Sequence, residues 1–484
     1  MKTVQDILYR VDIDGVIGMT SIQVVAVIFD SRNVIQNSMY VAKKGDSYDG
    51  HDFISQAIEN GAQSIVCEQL PLDRIKGIVY VLVSNASKAL GMIASNFYNN
   101  PSSQLALVGV TGTNGKTTIA SLLYELFSKE GYVSGLLSTV KISYGKEKLN
   151  NTHTTPDSVT INKHLRLMVD AGVSHCFMEV SSHGLAQYRL EGLTFSGGIF
   201  SNLTHDHLDY HGDFKTYRDV KKLFFDGLHK TAFALTNLDD KNGSFMLQNT
   251  KAKKYSYATK HHADYKTQIL ECQFSGMLLR IQSQEVWTKL IGNFNAQNLI
   301  AVYGTAILLG MKHLAVLKRI SDLNSVDGRF QTFQTSNKVT IVIDYAHTPD
   351  ALESVLKTIN IIRTRNESLI TVVGCGGNRD QEKRPLIGKL AVELSDKVIF
   401  TSDNPRNEEP SIILSDIIKG VPAEHFKKVL KVTLREEAIA MAGQLAKEGD
   451  IVLIAGKGHE TYQEIKGERF PFNDLKIAKY FFKY

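Results

Sequence analysis

Residues 112–118 read Gly-Thr-Asn-Gly-Lys-Thr-Thr, an order of residue types suited to a phosphate. Gly112 and Gly115, with Thr113 and Asn114 between them, let backbone N–H groups come close to anionic oxygens. Lys116 can reach terminal phosphates, Thr117 can offer its hydroxyl to Mg²⁺, and Thr118 continues into a helix. The usual spacing asks for glycine at position 110, where this chain has Val110, so the string is a variant of the phosphate loop. The alternative is a plain glycine turn carrying a solvated lysine. Downstream, Glu179 closes the apolar run CFMEV. A carboxylate at a strand end beside a phosphate loop is a natural Mg²⁺ ligand, and a surface or core-paired glutamate is the competing account.

SNLTHDHLDYHG (201–212) gathers His205, Asp206, His207, Asp209 and His211. A zinc hydrolase would need an HxHxDH pattern, but here the last histidine falls one residue late, after Tyr210, and a phosphate loop has no place in such a site. Most of these side chains read as turn or supporting residues. TYRDVKKLFFDGL (216–228) reads as a helix with Val220, Leu223, Phe224 and Leu228 on its apolar face and Lys221 beside that face. From the residues alone, Lys221 and Lys222 are expected to be solvated.

These residues need elements to hold them. LALVGVTGTNGKTTIASLLYELF (105–127) reads as strand, tight loop and helix: Leu105, Leu107 and Val108 form the strand, and Leu122, Leu123 and Leu126 recur at helical spacing. CFMEVSS (176–182) and GGIFSNL (197–203) are further buried strands, which predicts a mostly parallel sheet covered by helices. In the first hundred residues, VVAVIFDSR (24–32) predicts a strand running into a polar turn, and 51–68 predicts helix, glycine stop and strand. A boundary is expected near NNPSSQ (99–104) and a second near VDGRF (326–330). Beyond it, VTIVIDYA, LITVVGCGG, KVIFTSDNP and DIVLIAGKG predict four strands, with DALESVLKTINII and SIILSDIIKGV as intervening helices. Ligands of open α/β sheets bind at the carboxyl ends of strands, so YAHTPD, GCGGNRD, SDNPR and AGKGHE should face one cleft. GCGG is not a G-x-G-x-x-G fingerprint and gives no reason to infer NAD.

The expected fold is α/β with three domains: a small α/β domain over 1–101, a central P-loop ATPase-like parallel-sheet domain over 102–327, and a carboxyl-terminal Rossmann-like domain over 328–484. At roughly 150 residues per domain, a chain of 484 residues also suggests three. Apolar residues make up 43% and charged residues 22%, an ordinary globular composition. The net charge of +5 is spread without a basic stripe, which speaks against a nucleic-acid partner. The four cysteines are scattered and form no CxxC pair, against a disulfide framework or a thiolate zinc site. The start, MKTVQDILYR, does not read as a signal peptide, and no apolar run is long enough for a membrane span. A cytoplasmic enzyme acting as a monomer is expected.

TGTNGKTT, MEVSSHG, SNLTHDHLDYHG, YRDVK, GNFNAQN, VDGRF and DYAHTPD follow one another in that order. From DSR (30–32) onward the chain resembles the Mur ligases of peptidoglycan synthesis, and within them the MurE branch, which adds the third amino acid to UDP-N-acetylmuramoyl-L-alanyl-D-glutamate. The resemblance implies a UDP-binding amino-terminal domain, a central ATPase and a Rossmann-like last domain. It implies Thr117 and Glu179 as ligands of one Mg²⁺ and His207 as a ligand of a second. It also implies that CO₂ carbamylates Lys221 to N6-carboxylysine, another Mg²⁺ ligand. Lys116, Glu179, His207 and Lys221 would then be the catalytic set.

The same resemblance assigns Ser31, Thr154, Thr155, Ser181, Gln187 and Arg189 to the UDP-substrate, with His153 standing where the family often has asparagine. Asn295 and Asn298 match the adenine string, and Arg329 and Asp344 match residues that close on ATP from the last domain. The implied reaction phosphorylates the D-glutamyl γ-carboxylate to an acyl phosphate, which an amine then attacks.

In this family, Asp403-Asn404-Pro405-Arg406 accompanies meso-diaminopimelate. Diaminopimelate exceeds lysine by one carboxylate, and the fork of Arg406 can hold a carboxylate bidentately. A lysine substrate would leave that guanidinium unpaired. Arg379, Gly456 and Glu460 match the remaining contacts, with Glu460 on the distal ammonium. A surface ion pair of Arg406 with Glu408 or Glu409 is the competing account. A lysine-adding or relaxed enzyme, a neighbouring ligase such as MurF or folylpolyglutamate synthetase, and a non-catalytic nucleotide-binding protein are the other functions these strings allow.

Overall fold

A computed structural model describes residues 2–45, 48–149 and 153–482. The strand that feeds the phosphate loop, Ala106–Thr111, is buried at every position after the first. It lies inside an eleven-stranded sheet, parallel to His175–Glu179 on one side and to Gly197–Phe200 on the other. Ser134–Leu137, Phe233–Asn237 and Lys253–Ala258 extend the parallel part. Strands buried on both faces must be apolar throughout, which is why the inner runs show no alternation; Lys253–Ala258, with its first two residues exposed, departs from that pattern. Antiparallel strands finish each edge: Ile142–Tyr144 and Glu147–Leu149 at one, and Gly276–Ile281 and Gln284–Thr288 at the other. That second edge has no clear signal in the sequence, because Tyr265–Gln273 beside it is only partly buried and mixes polar with apolar residues.

Both faces of this sheet are covered. The helices Lys116–Lys129 and Asn293–Leu308 share one apolar core, through Ile119, Leu123, Leu299 and Val302. The helices Ser158–Asp170 and Phe214–Asp226 share the other, through Leu165, Met168, Phe224 and Phe225. The helix at 214–226 corrects the expected face. Tyr217, Lys221, Phe224, Phe225 and Leu228 are buried, whereas Leu223 is 58% exposed. Positions 217, 221, 224, 225 and 228 form one stripe at helical spacing, and 223 falls outside it. The two lysines are not solvated: Lys221 is 1% exposed and Lys222 is 6%.

The amino-terminal unit is a five-stranded sheet in the order Gly15–Ile17, Val79–Leu82, Ala62–Cys67, Ser38–Val41, Ala26–Ile28, antiparallel only at the first pairing. The run at 24–32 is not one strand. Gln23–Val24 pairs with Lys2–Thr3, Ala26–Ile28 pairs with Ser38–Val41, and Ser31–Asn33 is a short 3₁₀ turn. The chain changes partners at Val25.

The last unit places five strands in parallel, Thr340–Asp344, Ile451–Ala455, Leu369–Val373, Lys397–Phe400 and Val429–Lys431, with Gln331–Gln334 antiparallel at one edge. Apolar cores fill both of its faces. All four loops expected to share a cleft leave the same end of this sheet, so the sequence order of strands and helices is the Rossmann-like arrangement. No helix among the described residues is long and apolar enough to cross a membrane.

Beneath that loop cluster lies a buried ion pair. Arg435 donates to both carboxylate oxygens of Asp474, each at 2.8 Å, and to the Ala455 carbonyl at 2.9 Å, and neither side chain of the pair is exposed. Removing one partner strands a charge in the interior. Asp474→Ala is therefore expected to destabilise the last unit by about 3–5 kcal/mol. Calorimetry should show a lowered transition for that unit.

Candidate active site

Gly112 has φ of +146°, and a Cβ there would sit 2.0 Å from Ser201 Oγ. Gly115 has φ of +88°, and a Cβ there would sit 2.6 Å from Asn298 Oδ1. Only glycine fits both positions, and the helix Lys116–Lys129 begins directly behind them with its free N–H groups facing the loop. Thr113 is fixed from the other side: its N–H donates to Asn202 O, and its hydroxyl lies 3.0 Å from the Tyr217 hydroxyl. Val110 in place of the usual glycine is fully buried in the strand, so the variant loop keeps its geometry without that residue.

Lys116 Nζ donates to the carbonyls of Gly112 at 2.9 Å and Thr113 at 2.8 Å. Lys221 Nζ donates to the same Gly112 carbonyl at 2.9 Å and lies 4.7 Å from the centre of the Tyr217 ring. Burial pushes the Lys221 amine well below its ordinary range, the Lys116 charge pushes it the same way, and Asp206 opposes both. Burial also lowers Lys116, against Glu179 and Asp206.

The two expected ligands of the first Mg²⁺ meet: Thr117 Oγ1 donates to Glu179 Oε2 at 2.9 Å, and the Thr139 N–H holds the other carboxylate oxygen at 2.7 Å. Glu179 is 1% exposed, and its partners are Thr117 and the Thr139 backbone rather than a core cation, which sets aside the surface account. His207 caps the short helix Leu208–His211 from a left-handed backbone, φ +55°. Its Nε2 lies 3.4 Å from Asp206, and its ring is 6.3 Å from that of Tyr217. Burial keeps the His207 imidazole neutral, so a ring nitrogen is available as a ligand.

The residues suit magnesium nucleotide. A threonine hydroxyl and a carboxylate are hard oxygen donors. Among the described residues no three His, Cys, Asp or Glu side chains are grouped to hold a metal ion, which leaves room for phosphate, water or a modified Lys221 as further ligands. Arg329, on the link into the last unit, donates from Nη2 to Thr117 Oγ1 at 3.2 Å, while its Nε is buried without a partner. Asp344 accepts from the N–H groups of Phe330 at 2.6 Å and Ala346 at 2.7 Å. Burial pushes the Asp344 carboxyl up to about 6, against Arg329 and those two bonds.

A cleft of about 250 Å³ runs from Asn114, Gly115 and Thr118 past Asn298 to Arg329, Asp344 and His347. Asn298 lines it, but Asn295 does not: its amide donates to Ile291 O within its own helix turn at 2.9 Å, and it accepts from Asn298. Asn295 thus meets Asn298 rather than facing the cleft. Phe294 and Gln297 line it, and the sequence reading passed over both. Phe294 stands three residues before Gln297 and four before Asn298, and that helical spacing was the available signal.

Of the residues assigned to the UDP-substrate, five cluster. Thr154 accepts from Thr139, Thr155 Oγ1 donates to Glu179 O and accepts from Ser181 N, and Arg189 donates to Gln187 Oε1 and to Thr155 O. Ser31 stands apart in the amino-terminal unit, where its partners are Gln56 and Asn60.

In the last unit, Asn404 Nδ2 and Lys457 Nζ both donate to Glu460 Oε2, at 2.9 and 2.7 Å. Lys457 also donates to Asn404 Oδ1, which fixes the orientation of that amide. The lysine is wholly buried and was missed in the sequence, although it stands inside GKGHE between Gly456 and Gly458. Gly456 is required because a Cβ would lie 2.6 Å from Asp403 Oδ2, a buried oxygen without a partner. Arg406 is not paired with Glu408 or Glu409. Its Nη1 donates to Gly377 O at 2.7 Å, its Nε is 3.5 Å from Glu464, and Glu408 is taken by the buried Arg384. Pro405 contributes only backbone: its carbonyl passes so near Gly377 that a Cβ there would be 1.9 Å away. Arg379 is exposed and borders the same loop, with Gly376 between it and Arg406.

Three family models match the chain in sequence order: "Mur ligase family, catalytic domain" at 23–98, "Mur ligase middle domain" at 110–306 and "Mur ligase, glutamate ligase domain" at 328–458. A Cytophaga hutchinsonii protein named UDP-N-acetylmuramoyl-L-alanyl-D-glutamate–2,6-diaminopimelate ligase is 52% identical over 477 residues, 98% of either chain. One of the same name from Geobacillus kaustophilus is 41% identical over 94% of each. A solved structure titled as that ligase is 32% identical with a TM-score of 0.70, covering 100% of this chain and 99% of its own. The MurF ligase of Thermotoga maritima, solved with ADP, shares the fold at 19% identity and a TM-score of 0.64, covering 96% of this chain and 98% of its own.

Gly112→Ala should weaken ATP binding by roughly tenfold or more, since it strains the backbone and drives a methyl group into Ser201. Titration calorimetry would measure it. The raised carboxyl of Asp344 has a signed consequence. Between pH 4 and 6 the unfolded carboxyl is ionised and the folded one is not, so stability falls as pH rises through that window and levels off above 6. Relative to Asp344→Asn, wild type should lose on the order of 1–3 kcal/mol across it, by denaturant melts at each pH.

Proposed function

The chain belongs to the Mur ligase family, and from that premise we propose that it joins meso-diaminopimelate to UDP-MurNAc-L-Ala-D-Glu at the expense of ATP. The observation that carries the choice of amino acid is the pair of opposite charges in the last unit. Among the described residues Arg406 borders the glycine loop with no carboxylate closer than Glu464, and Glu460 offers Oε1 while its other oxygen is held by Asn404 and Lys457. Diaminopimelate carries both groups such a pocket asks for at its distal end, a carboxylate and an ammonium. Lysine carries only the ammonium, and would leave the Arg406 fork with Glu464 as its one carboxylate, at 3.5 Å from Nε.

The reaction follows from the placement of the chain's own groups. Lys116, Arg329 and the loop N–H groups hold the phosphates in line with the D-glutamyl γ-carboxylate, which the cluster around Thr155 and Arg189 positions. A carboxylate oxygen attacks the γ-phosphorus, the bond to the bridging oxygen breaks, and ADP leaves. The amine of the amino acid then attacks the acyl phosphate, loses its proton, and phosphate departs. Bound Mg²⁺, on Thr117 and Glu179 and on His207, would neutralise charge on the transferring group. Enclosure between the units keeps water from the acyl phosphate.

Lys221 is proposed to work as the carbamate. Burial holds its amine well below the ordinary lysine range, which favours the neutral form that can act as a nucleophile. Its neutral nitrogen attacks CO₂ and releases one proton, which leaves an anion beside Lys116. The enzyme would act in the cytoplasm as a monomer.

Release of ADP and phosphate from ATP and UDP-MurNAc-L-Ala-D-Glu, measured across an amino-acid panel, should depend on meso-diaminopimelate. Equal turnover with lysine would refute the specificity. Arg406→Ala should raise KM for diaminopimelate roughly 10- to 100-fold and leave KM for ATP near wild type. Lys221→Ala should lose about 10²- to 10³-fold in kcat and regain part of it with acetate or propionate. A carbamate carbon should appear in the ¹³C spectrum of wild type under ¹³CO₂.

A further inference from the structure

The amino-acid pocket and the phosphate loop are joined by one aromatic side chain. Tyr345 follows directly on Asp344 at the end of its strand. Its hydroxyl donates to Glu460 Oε1 at 3.4 Å, the carboxylate oxygen that Asn404 and Lys457 leave open. The face of its ring carries the guanidinium of Arg329, whose carbon is 4.5 Å from the ring centre. Arg329 in turn donates to Thr117 Oγ1 at 3.2 Å. A chain of contacts therefore runs from Glu460 through Tyr345 and Arg329 to the hydroxyl expected to face the nucleotide's metal.

The backbone repeats the connection. Gly328, just before Arg329, has φ of +66°, and a Cβ there would sit 2.1 Å from the His459 nitrogen. Gly458 has φ of +51°, and a Cβ there would lie 2.6 Å from Gly328 O and 2.8 Å from Tyr345 Cβ. The link that carries Arg329 and the loop that carries Glu460 are thus in direct main-chain contact, possible only because both positions are glycine. The Tyr345 ring also lies 5.0 Å from that of His459.

We infer that Tyr345 is a positioning residue that couples the two sites, so that filling the amino-acid pocket tightens the grip on the nucleotide. This rests on the proposed diaminopimelate pocket. An ammonium on Glu460 Oε1 anchors the carboxylate to which the Tyr345 hydroxyl donates. The ring then loses freedom, and Arg329 above it is ordered toward Thr117 before the nucleotide arrives. Ordering that one ligand has already brought about need not be supplied again by the second, which gives positive cooperativity without a large movement. The coupling is reciprocal by thermodynamic necessity.

The test is calorimetric titration of the full chain with a non-hydrolysable ATP analogue and Mg²⁺. UDP-MurNAc-L-Ala-D-Glu is present throughout, and meso-diaminopimelate is either absent or saturating. In wild type, diaminopimelate should tighten the analogue by roughly fivefold or more, and the analogue should tighten diaminopimelate by the same factor. Tyr345→Phe keeps the ring under Arg329 and deletes the hydroxyl, so the factor should fall to near one. Tyr345→Leu, which also removes the ring, should in addition weaken the analogue when diaminopimelate is absent. A wild type with no coupling, or a Tyr345→Phe protein that keeps the full factor, overturns the inference while the pocket stands. A wild type that binds no diaminopimelate in either arm overturns the pocket itself, and the inference with it.

Discussion

Two lysine amines share one carbonyl oxygen, that of Gly112, and the rest of the site is arranged around that crowding. Two ammonium groups cannot both stay charged at such a point in the interior without compensation. Glu179 and Asp206 supply part of it for Lys116, while burial, together with the Lys116 charge, lowers the proton affinity of Lys221. The buried stripe of the helix at 214–226 and the Tyr217 ring under Lys221 together bring that second amine to the loop. A polar side chain is placed where packing alone would choose an apolar one, and its neighbours are the phosphate-binding groups.

The parts legible in the sequence were those with a local physical signature. The strand–loop–helix at 106–129 shows itself through its glycines and its helical leucines, and the four strands of the last unit through unbroken apolar runs before polar loops. What stayed hidden depends on contacts distant in the chain. Lys221 read as solvated because helical spacing tells which residues share a face, not that the face holds a buried amine among apolar rings. The antiparallel edge at 276–288 was missed because a half-exposed edge strand carries no continuous apolar run. Asn295 was grouped with Asn298 by motif, and only the helix geometry separates the one that bonds its own turn from the one that faces the cleft.

The last unit treats its charges differently from the central one. Arg384 and Arg435 are deeply buried, and each is met by carboxylates, Glu408 with Asp416 and Asp474 respectively. These pairs fix the loops and leave no charge to spare. Glu460 is held by Asn404 and Lys457 on one oxygen and by the Tyr345 hydroxyl, at 3.4 Å, on the other, and Arg406 is held by a carbonyl and a more distant carboxylate. The contrast separates charges that build the scaffold from charges left available to a zwitterionic guest.

Arg406 also stands in a left-handed backbone conformation, φ +52°, which a side-chain-bearing residue rarely adopts unaided. It is strapped there by the hairpin of Tyr462–Ile465 and Glu468–Pro471: its N–H donates to Glu464 O, and its carbonyl accepts from Lys466 N. The aim of the guanidinium is therefore written in a segment about sixty positions further along the chain. Grafting the four residues 403–406 into a relative without this strap would transfer the arginine but not its direction. The proposed recognition is thus a property of two segments distant in the chain, and substitutions in the hairpin can retune it while the tetrapeptide stays the same.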